Sequence, residues 1–154
     1  MKYLEWSTHA MTGIVLGYVV TGDWKLSLIS GLAALIPDLD EPRSKFGKPL
    51  FFISIPLNQV FGHRTFTHSL LFVGIIGLIT AFFNLSIALA SILGVLTHII
   101  GDMLTGKVKL LYPNKKGYGL GISRFSYVLT DRITRLISLI LIGLICYYEI
   151  HLHL

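Results

Sequence analysis

Five segments rich in apolar residues follow one another along the chain, separated by short polar stretches. They cover residues 8–20, 25–37, 66–83, 86–104 and 133–150. Each segment can form a helix, and the last two approach the ~20 residues that cross a hydrocarbon core of ~30 Å. The first two, at about 13 residues each, are too short to cross it unaided. The pattern predicts an all-α fold of about five helices.

Two polar turns predict how neighbouring helices are connected. Residues 21–25 read Thr-Gly-Asp-Trp-Lys and separate the first two segments, and Asn84-Leu85-Ser86 separates the third from the fourth. Asn and Ser side chains accept hydrogen bonds from the first free N–H groups of a helix. We therefore expect two helical hairpins with tight turns.

The composition indicates a membrane environment. Hydrophobic residues make up 53% of the chain and charged residues 14%, with a mean hydropathy of +0.72, whereas soluble domains carry roughly 25% charged residues. We expect a single membrane-embedded domain over residues 1–154. The only cysteine, Cys146, excludes a disulfide or a Cys-based zinc site within one chain, so a metal here must use His and carboxylates.

The positively charged residues lie almost entirely on one side of the predicted helices. Cytoplasmic loops of membrane proteins carry an excess of Lys and Arg. If the N-terminus is cytoplasmic, all but one of the 13 Lys and Arg residues fall on the inner side, and the exception is Lys25. The chain is therefore predicted to be a polytopic, multi-pass membrane protein with a cytoplasmic N-terminus. This distribution also accounts for the net charge of +5 without direct binding to nucleic acid.

Seven ionisable residues fall at the inner ends of four predicted helices. They are His9, Asp38, Asp40, His63, His68, His98 and Asp102. Ionisable groups near the hydrocarbon boundary are costly and usually face the bundle interior, paired with each other or with an ion. Their shared depth predicts a polar metal site at the cytoplasmic helix ends.

The spacing within two of these pairs suits a metal. His98 and Asp102 lie at i and i+4, on one face of a helix. Asp38 and Asp40 follow Pro37, and in an extended segment both would point the same way and could bind or bridge two ions. Taken alone, the first pair also suits a helix-terminal hydrogen bond and the second a helix stop. The combination favours a metal site.

The densest polar motif runs from His63 to Ser69. His63 and His68 are five residues apart and do not share a helical face, so either could be the ligand, and His68 is preferred. Arg64 suits a bidentate contact with a phosphate oxyanion. The alternative is a helix start capped by Thr65 or Thr67.

These motifs carry a family resemblance. His9, the PDLD motif at residues 37–40, HRxxTHS at 63–69 and HxxxD at 98–102 ahead of a Tyr-Pro loop resemble the family of LexA-binding, inner-membrane-associated, metal-dependent hydrolases. The resemblance extends from His9 to about Pro113. That family is remotely similar to the zinc-dependent phospholipases C and single-strand nucleases, which are helical and hold several zinc ions.

The resemblance implies a ligand set, a cofactor and a location. The motif positions that would be ligands are His9, Asp38 or Asp40, His68, His98 and Asp102, and the HR pair corresponds to His63 and Arg64. The expected cofactor is one or two divalent ions, zinc first, with iron or manganese as alternatives. The third ion of the zinc phospholipases needs a further His and Glu, but Glu149, His151 and His153 fall on the predicted outer side. The implied location is a prokaryotic plasma (inner) membrane.

These features predict a membrane-bound metal-dependent hydrolase of phosphoester bonds, with the lipid bilayer as its surroundings and a phospholipid as a candidate substrate. Asp38 or Asp40 would be the general base, and Arg64 would stabilise the developing charge. The alternative is a non-catalytic membrane scaffold that binds a cytoplasmic protein partner and has a structural metal site. A transporter is disfavoured because the outer halves of the helices are almost free of polar groups.

Overall fold

The computed structural model describes residues 5–122 and 124–152, and their regular secondary structure is helical. The α-helices are α1 (Trp6–Thr21), α2 (Trp24–Ala33), α3 (Phe51–Phe61), α4 (Leu70–Ala81), α5 (Leu85–Thr105) and α6 (Arg124–Leu152), and two short 3₁₀ helices cover Pro37–Asp40 and Phe66–His68. The described residues form no strand, only an isolated antiparallel bridge between Val108 and Tyr118. The all-α prediction is confirmed.

Each of the five predicted segments corresponds to a helix, but the predicted number is wrong by one. The additional helix is α3, which has Pro56 in its interior and three polar residues, so it shows no long apolar run. Two predicted boundaries are also wrong. The second segment ends as an α-helix at Ala33 because Pro37 begins a 3₁₀ helix, and α6 begins at Arg124, well before its apolar stretch.

Side-chain caps fix the turns between helices. Asn84 Oδ1 accepts hydrogen bonds from Ser86 N at 2.7 Å and Ile87 N at 3.4 Å, so the predicted cap of α5 is confirmed. The helix after the HRTFTHS motif is capped by Ser69, whose Oγ accepts from Phe72 N at 3.2 Å. The alternative caps, Thr65 and Thr67, instead bond to Phe61 and Asp40.

Helix α5 lies at the centre of the fold and contacts α1, α2 and α4. Small residues let these helices approach closely, as expected for helix packing in membranes. A Cβ on Gly94 would lie 2.1 Å from the Ser30 carbonyl oxygen of α2, and a Cβ on Gly17 would lie 2.6 Å from the Ser30 Cβ. One face of the C-terminal turns of α5 is buried, and His98 and Asp102 lie on that face and point into the interior.

Two helices of the described chain are long and apolar enough to cross a membrane. They are Leu85–Thr105 and Ser126–His151, with mean hydropathies of 1.9 and 1.8. The remaining helices are shorter, at 16 residues or fewer. The cytoplasmic N-terminus and the number of passes stay predictions.

Candidate metal centre

The fold brings all seven predicted His and Asp residues together. Helix α1 carries His9, the first 3₁₀ helix carries Asp38 and Asp40, the second 3₁₀ helix and the turn before it carry His68 and His63, and α5 carries His98 and Asp102. We refer to these seven residues as the His/Asp cluster. Side-chain contacts of 3.8 Å or less connect all of its members.

Asp102 lies in the middle of three imidazole rings. Its Oδ2 is 3.1 Å from His68 Nε2 and 3.8 Å from His98 Nε2, and its Oδ1 is 3.6 Å from His9 Nε2. The ligand atoms of His9, His98 and Asp102 lie within 4.8 Å of one another. The two nitrogens His68 Nε2 and His98 Nε2 are 3.2 Å apart. Two His nitrogens and a carboxylate converging on one point form a donor set that suits a divalent transition metal.

The tautomer of His98 follows from its hydrogen bond to the backbone. His98 Nδ1 lies 2.7 Å from the carbonyl oxygen of Ala34, which can only accept, so Nδ1 carries a proton. In the neutral ring the lone pair is then on Nε2, which faces Asp102 and Asp38. Metal-binding histidines are commonly oriented in this way by a second partner.

Asp40 contacts and orients two histidines of the cluster, His63 and His68. Its Oδ1 is 2.7 Å from His63 Nδ1, and its Oδ2 accepts hydrogen bonds from Arg64 N at 3.1 Å and from the Thr67 hydroxyl. Oδ2 also lies 3.3 Å from His68 Nδ1. Burial favours the protonated acid, but the hydrogen bonds with His63 and His68 outweigh it and hold the pKa of Asp40 below its usual range. The Asp40 carboxylate is therefore committed to orienting these neighbours.

Asp38 has a different environment from Asp40. Its Oδ1 is 3.8 Å from His98 Nε2, and its side chain is 19% exposed, against 1% for Asp40. Burial raises the pKa of the Asp38 carboxyl, with opposing attraction from His9. A carboxylate with a raised pKa and access to solvent can accept a proton from water.

Arg64 lies behind Asp102. Its Nη2 donates to Asp102 Oδ1 at 2.6 Å and to Thr105 Oγ1 at 3.3 Å, and the residue is 8% exposed. The guanidinium occupies space that Gly106 leaves open, since a Cβ there would lie 2.0 Å from Arg64 Nη1. The backbone φ of Arg64 is 60°, in the left-handed region that few residues other than Gly adopt. These contacts orient Asp102, whereas the predicted contact with a phosphate stays a prediction.

The cluster also places a positive charge on His68. Burial disfavours its protonated form, but the hydrogen bonds to Asp102 and Asp40 outweigh that effect and raise the pKa of His68 to about 9. Without a bound ion, the imidazolium balances the carboxylates on either side. A divalent ion would supply that charge and take the His68 Nε2 lone pair, since Nδ1 faces Asp40.

A cleft of about 440 Å³ leads from the surface to the cluster. Asp38 and His63 line its inner part. Arg43 and Lys45, in the loop after the first 3₁₀ helix, line one wall, and Arg132 of α6 lines another. Acidic side chains line the cleft as well, namely Glu5, Glu41 and Asp131, so the entrance to the site carries charges of both signs.

Two residues support the site in roles that were not predicted from the sequence. Asp131 of α6 is 5% exposed, and its Oδ1 accepts hydrogen bonds from Glu5 N at 2.9 Å and Thr8 Oγ1 at 2.7 Å, which fixes the start of α1 beside His9. An Asp in an apolar helix with an Arg four residues later was the available signal. Thr67 lies inside a motif already singled out, and its role depends on a contact with the distant Asp40.

Two polar residues near the C-terminus, Glu149 and His151, are described by the structure and lie away from the cluster. Glu149 Oε1 accepts a hydrogen bond from Tyr18 Oη at 2.7 Å, near the opposite end of α1, and His151 is exposed. His153 lies outside the described residues. The expectation that Glu149 and His151 do not join the cluster is confirmed.

A helical chain with two candidate spans and a polar cluster at the helix ends has the characteristics of a membrane protein. The chain matches the family described as YdjM inner membrane protein over residues 4–152, and it belongs to that family. This membership supports the predicted inner-membrane location. The predicted metal, the hydrolase activity and the LexA partner stay predictions.

Two relatives illustrate the range of the family. Protein YvsG of Bacillus subtilis (strain 168) is 39% identical over 115 residues, which make up 70% of this chain and 72% of YvsG. Inner membrane protein YdjM of Escherichia coli (strain K12) is 38% identical over 112 residues, 66% of this chain. The matched region spans 56% of the length of the Escherichia coli protein. No solved structure matches the chain.

Proposed function

We propose that this chain is a membrane-bound metal-dependent hydrolase of phosphoester bonds. The observation that carries the proposal is the convergence of His68 Nε2, His98 Nε2 and Asp102 Oδ2 within 3.1–3.8 Å of one another, beside an open cleft. Four ligands at 2.0–2.1 Å from a tetrahedral ion are about 3.3 Å apart. The spacing of these donors fits such an ion.

The donor set divides into two groups by exposure. His9, His68, His98 and Asp102 have side chains with at most 3% exposure and would hold a buried ion. Asp38 and His63 have 19% and 17% exposure and face the cleft, where a second ion could be held. Zinc suits this mixture of imidazole and carboxylate best, and iron or manganese also fit it.

The residues at the cleft would perform the proton transfer. A bound divalent ion would supply Lewis acidity, which lowers the pKa of water and polarises a phosphoryl oxygen. Asp38 Oδ1 would accept a proton from the attacking water. At the same time the oxygen of that water would form a bond to phosphorus, and the bond from phosphorus to the leaving oxygen would break. Asp40 and Arg64 act as positioning residues, since the first orients His63 and His68 and the second orients Asp102. We place the site at the cytoplasmic face, with the N-terminus inside.

Elemental analysis of the detergent-purified protein tests the metal site. We expect about one or two equivalents of zinc, iron or manganese in the native chain. The His98→Ala/Asp102→Ala variant should hold none, because both substitutions remove donors. His151→Ala is the matched control, since this exposed histidine lies outside the cluster and its loss should leave the metal content unchanged. A metal-free native chain after reconstitution with each ion would contradict the proposal.

A structural metal in a non-catalytic scaffold is the second candidate. It is favoured by the burial of the inner donors, since structural sites are closed and catalytic sites keep an open position. In that case the exposed lysines of the loop after α5 would bind a cytoplasmic partner. Capture of a partner that is lost in Lys115→Gln/Lys116→Gln and kept in His98→Ala/Asp102→Ala would support the scaffold over the hydrolase.

A further inference from the structure

The two partly exposed members of the His/Asp cluster line the cleft. The side chains of His9, Asp40, His68, His98 and Asp102 are 0–3% exposed. Asp38 and His63 are the exposed members, and both line the cleft. A ligand in this cleft therefore contacts the cluster at Asp38 and His63.

Charged side chains of both signs line the cleft, and they are Glu5, Asp38, Glu41, Asp131, Arg43, Lys45, Arg132 and Arg135. Arg135 is already engaged, because its guanidinium pairs with Glu5 Oε2 at 2.7 Å and Asp131 Oδ2 at 3.1 Å. Arg43 and Arg132 are exposed, and neither side chain forms an ion pair within the described part of the chain. Guanidinium groups match phosphate oxygens with two parallel hydrogen bonds. The two arginines therefore offer binding capacity for a phosphate beside Asp38.

One wall of the cleft belongs to the helix that the bilayer would surround. Tyr127 and Arg132 line the cleft from α6, which includes the candidate span Ser126–His151. Only 6% of the apolar window of that helix is buried. On α6, Val128 lines the cleft and is 37% exposed, and Leu129 and Ile133, each next in sequence to a lining residue, are 49% and 47% exposed. A ligand with an acyl chain could lie against these residues while its headgroup enters the cleft.

We propose that this cleft binds the phosphate headgroup of a membrane phospholipid, with Arg43 and Arg132 holding the phosphate and the acyl chains lying along α6. The proposal rests on the proposed function only in making that lipid the substrate of the cluster. A water-soluble phosphoester has the same phosphate group but no acyl chain to contact the apolar wall.

Trp6 provides a reporter inside the cleft. The chain has two tryptophans, and the other, Trp24, lies at the start of α2 with 48% exposure. In a Trp24→Phe background, the fluorescence of the full-length protein in detergent therefore reports on Trp6 alone. Phospholipid with brominated acyl chains should quench this fluorescence and reach saturation. Brominated diacylglycerol, which lacks the phosphate, should not show saturable quenching.

Two variants with equal charge loss test the role of the arginines. Arg43→Gln/Arg132→Gln should raise the half-saturating phospholipid concentration about tenfold or more, because two charge-assisted contacts are lost. Lys115→Gln/Lys116→Gln removes the same charge from the exposed loop after α5 and should leave that concentration unchanged. Circular dichroism and gel filtration of each variant confirm that it is folded. Equal weakening in both pairs would overturn the proposal, since it would show general attraction to anionic lipid.

The remaining outcomes separate the sources of the phosphate. Glycerol 3-phosphate carries the phosphate without acyl chains and should not reverse the quenching at the same concentration. Full reversal by it would overturn the lipid assignment in favour of a soluble phosphoester. The readout does not depend on metal: saturable lipid binding in a chain that holds no ion would sustain this inference and contradict the hydrolase. Metal binding without any quenching of Trp6 would overturn this inference and leave the hydrolase proposal standing.

Discussion

Helices α5 and α6 have almost the same apolar character and very different surroundings. Their mean hydropathies are 1.9 and 1.8, yet 44% of the apolar window is buried in α5 and 6% in α6. Hydropathy therefore indicates which helices can cross a membrane, but it does not indicate which of them the protein encloses. That difference must come from the shapes of the side chains and from the polar contacts.

The two helices are held by different interactions. The buried face of α5 includes Ala90, Ser91 and Gly94, small residues that allow the neighbouring backbones to approach. Helix α6 exposes many large Leu and Ile side chains and contacts α1. Near its N-terminal end, Asp131 and Arg135 attach it to the start of α1. We infer that close packing secures α5, whereas polar contacts at one end contribute much of the docking of α6.

The largest expected difference in stability is between two variants that each remove an arginine, one that pairs with Asp102 of α5 and one in α6. Arg64→Met removes the guanidinium that pairs with the buried Asp102 of α5 and leaves only the His68 imidazolium beside it, so in metal-stripped protein we expect a loss of about 3 kcal/mol of stability, the lower end for a broken buried pair. Arg135→Met breaks an exposed pair with Glu5 and a second pair with Asp131, which keeps its hydrogen bonds from Glu5 N and Thr8, so the loss should be about 1–2 kcal/mol. Unfolding titrations in detergent, followed by circular dichroism, measure both values.

Metal-stripped protein matters in this experiment because a bound ion would itself compensate Asp102. Zinc added to Arg64→Met should therefore restore part of the lost stability, whereas it should not affect the loss in Arg135→Met. Equal losses in the two stripped variants would contradict the distinction between an enclosed α5 and a peripheral α6.

Matched glycine substitutions test the packing itself. A Cβ on Gly94 of α5 would lie 2.1 Å from the Ser30 carbonyl oxygen, so Gly94→Ala forces α2 and α5 apart and should cost about 1–3 kcal/mol. A Cβ on Gly143 of α6 meets nothing within 4 Å, so Gly143→Ala should leave stability unchanged or raise it by up to about 1 kcal/mol through its higher helix propensity. The same titrations apply, and a destabilised Gly143→Ala would reveal a surface of α6 that is covered.

The sequence was sufficient to predict the elements that carry the site, because apolar length and capping residues act locally. Asn84 illustrates this, since its cap depends on the next three residues alone. Helix α3 was missed because its Pro56 and polar residues interrupt the apolar pattern, although tertiary contacts with the first 3₁₀ helix still support it. Local patterns therefore gave five of the six helices in the described chain.

The convergence of the His/Asp cluster was predicted from depth, but the individual environments were not. Asp38 and Asp40 look equivalent in the sequence, yet Asp40 is enclosed by His63, Arg64 N and Thr67, whereas Asp38 faces the cleft. The tautomer of His98 depends on the Ala34 carbonyl, 64 residues away. Such differences arise from long-range packing, which single-sequence patterns do not specify.

The smallest expected effect concerns one hydrogen bond that attaches α6. Thr8 is 0% exposed, and its hydroxyl donates to Asp131 Oδ1 of α6 at 2.7 Å. Thr8→Val keeps the shape and removes the donor, and we expect a loss of about 1 kcal/mol. Thr97→Val is the matched control in α5, because Thr97 donates to Leu93 O of its own helix at 2.7 Å and adds little to stability. If Thr8→Val were no more destabilising than Thr97→Val, the polar contacts would not secure α6, and apolar contact with α1 would have to account for its docking.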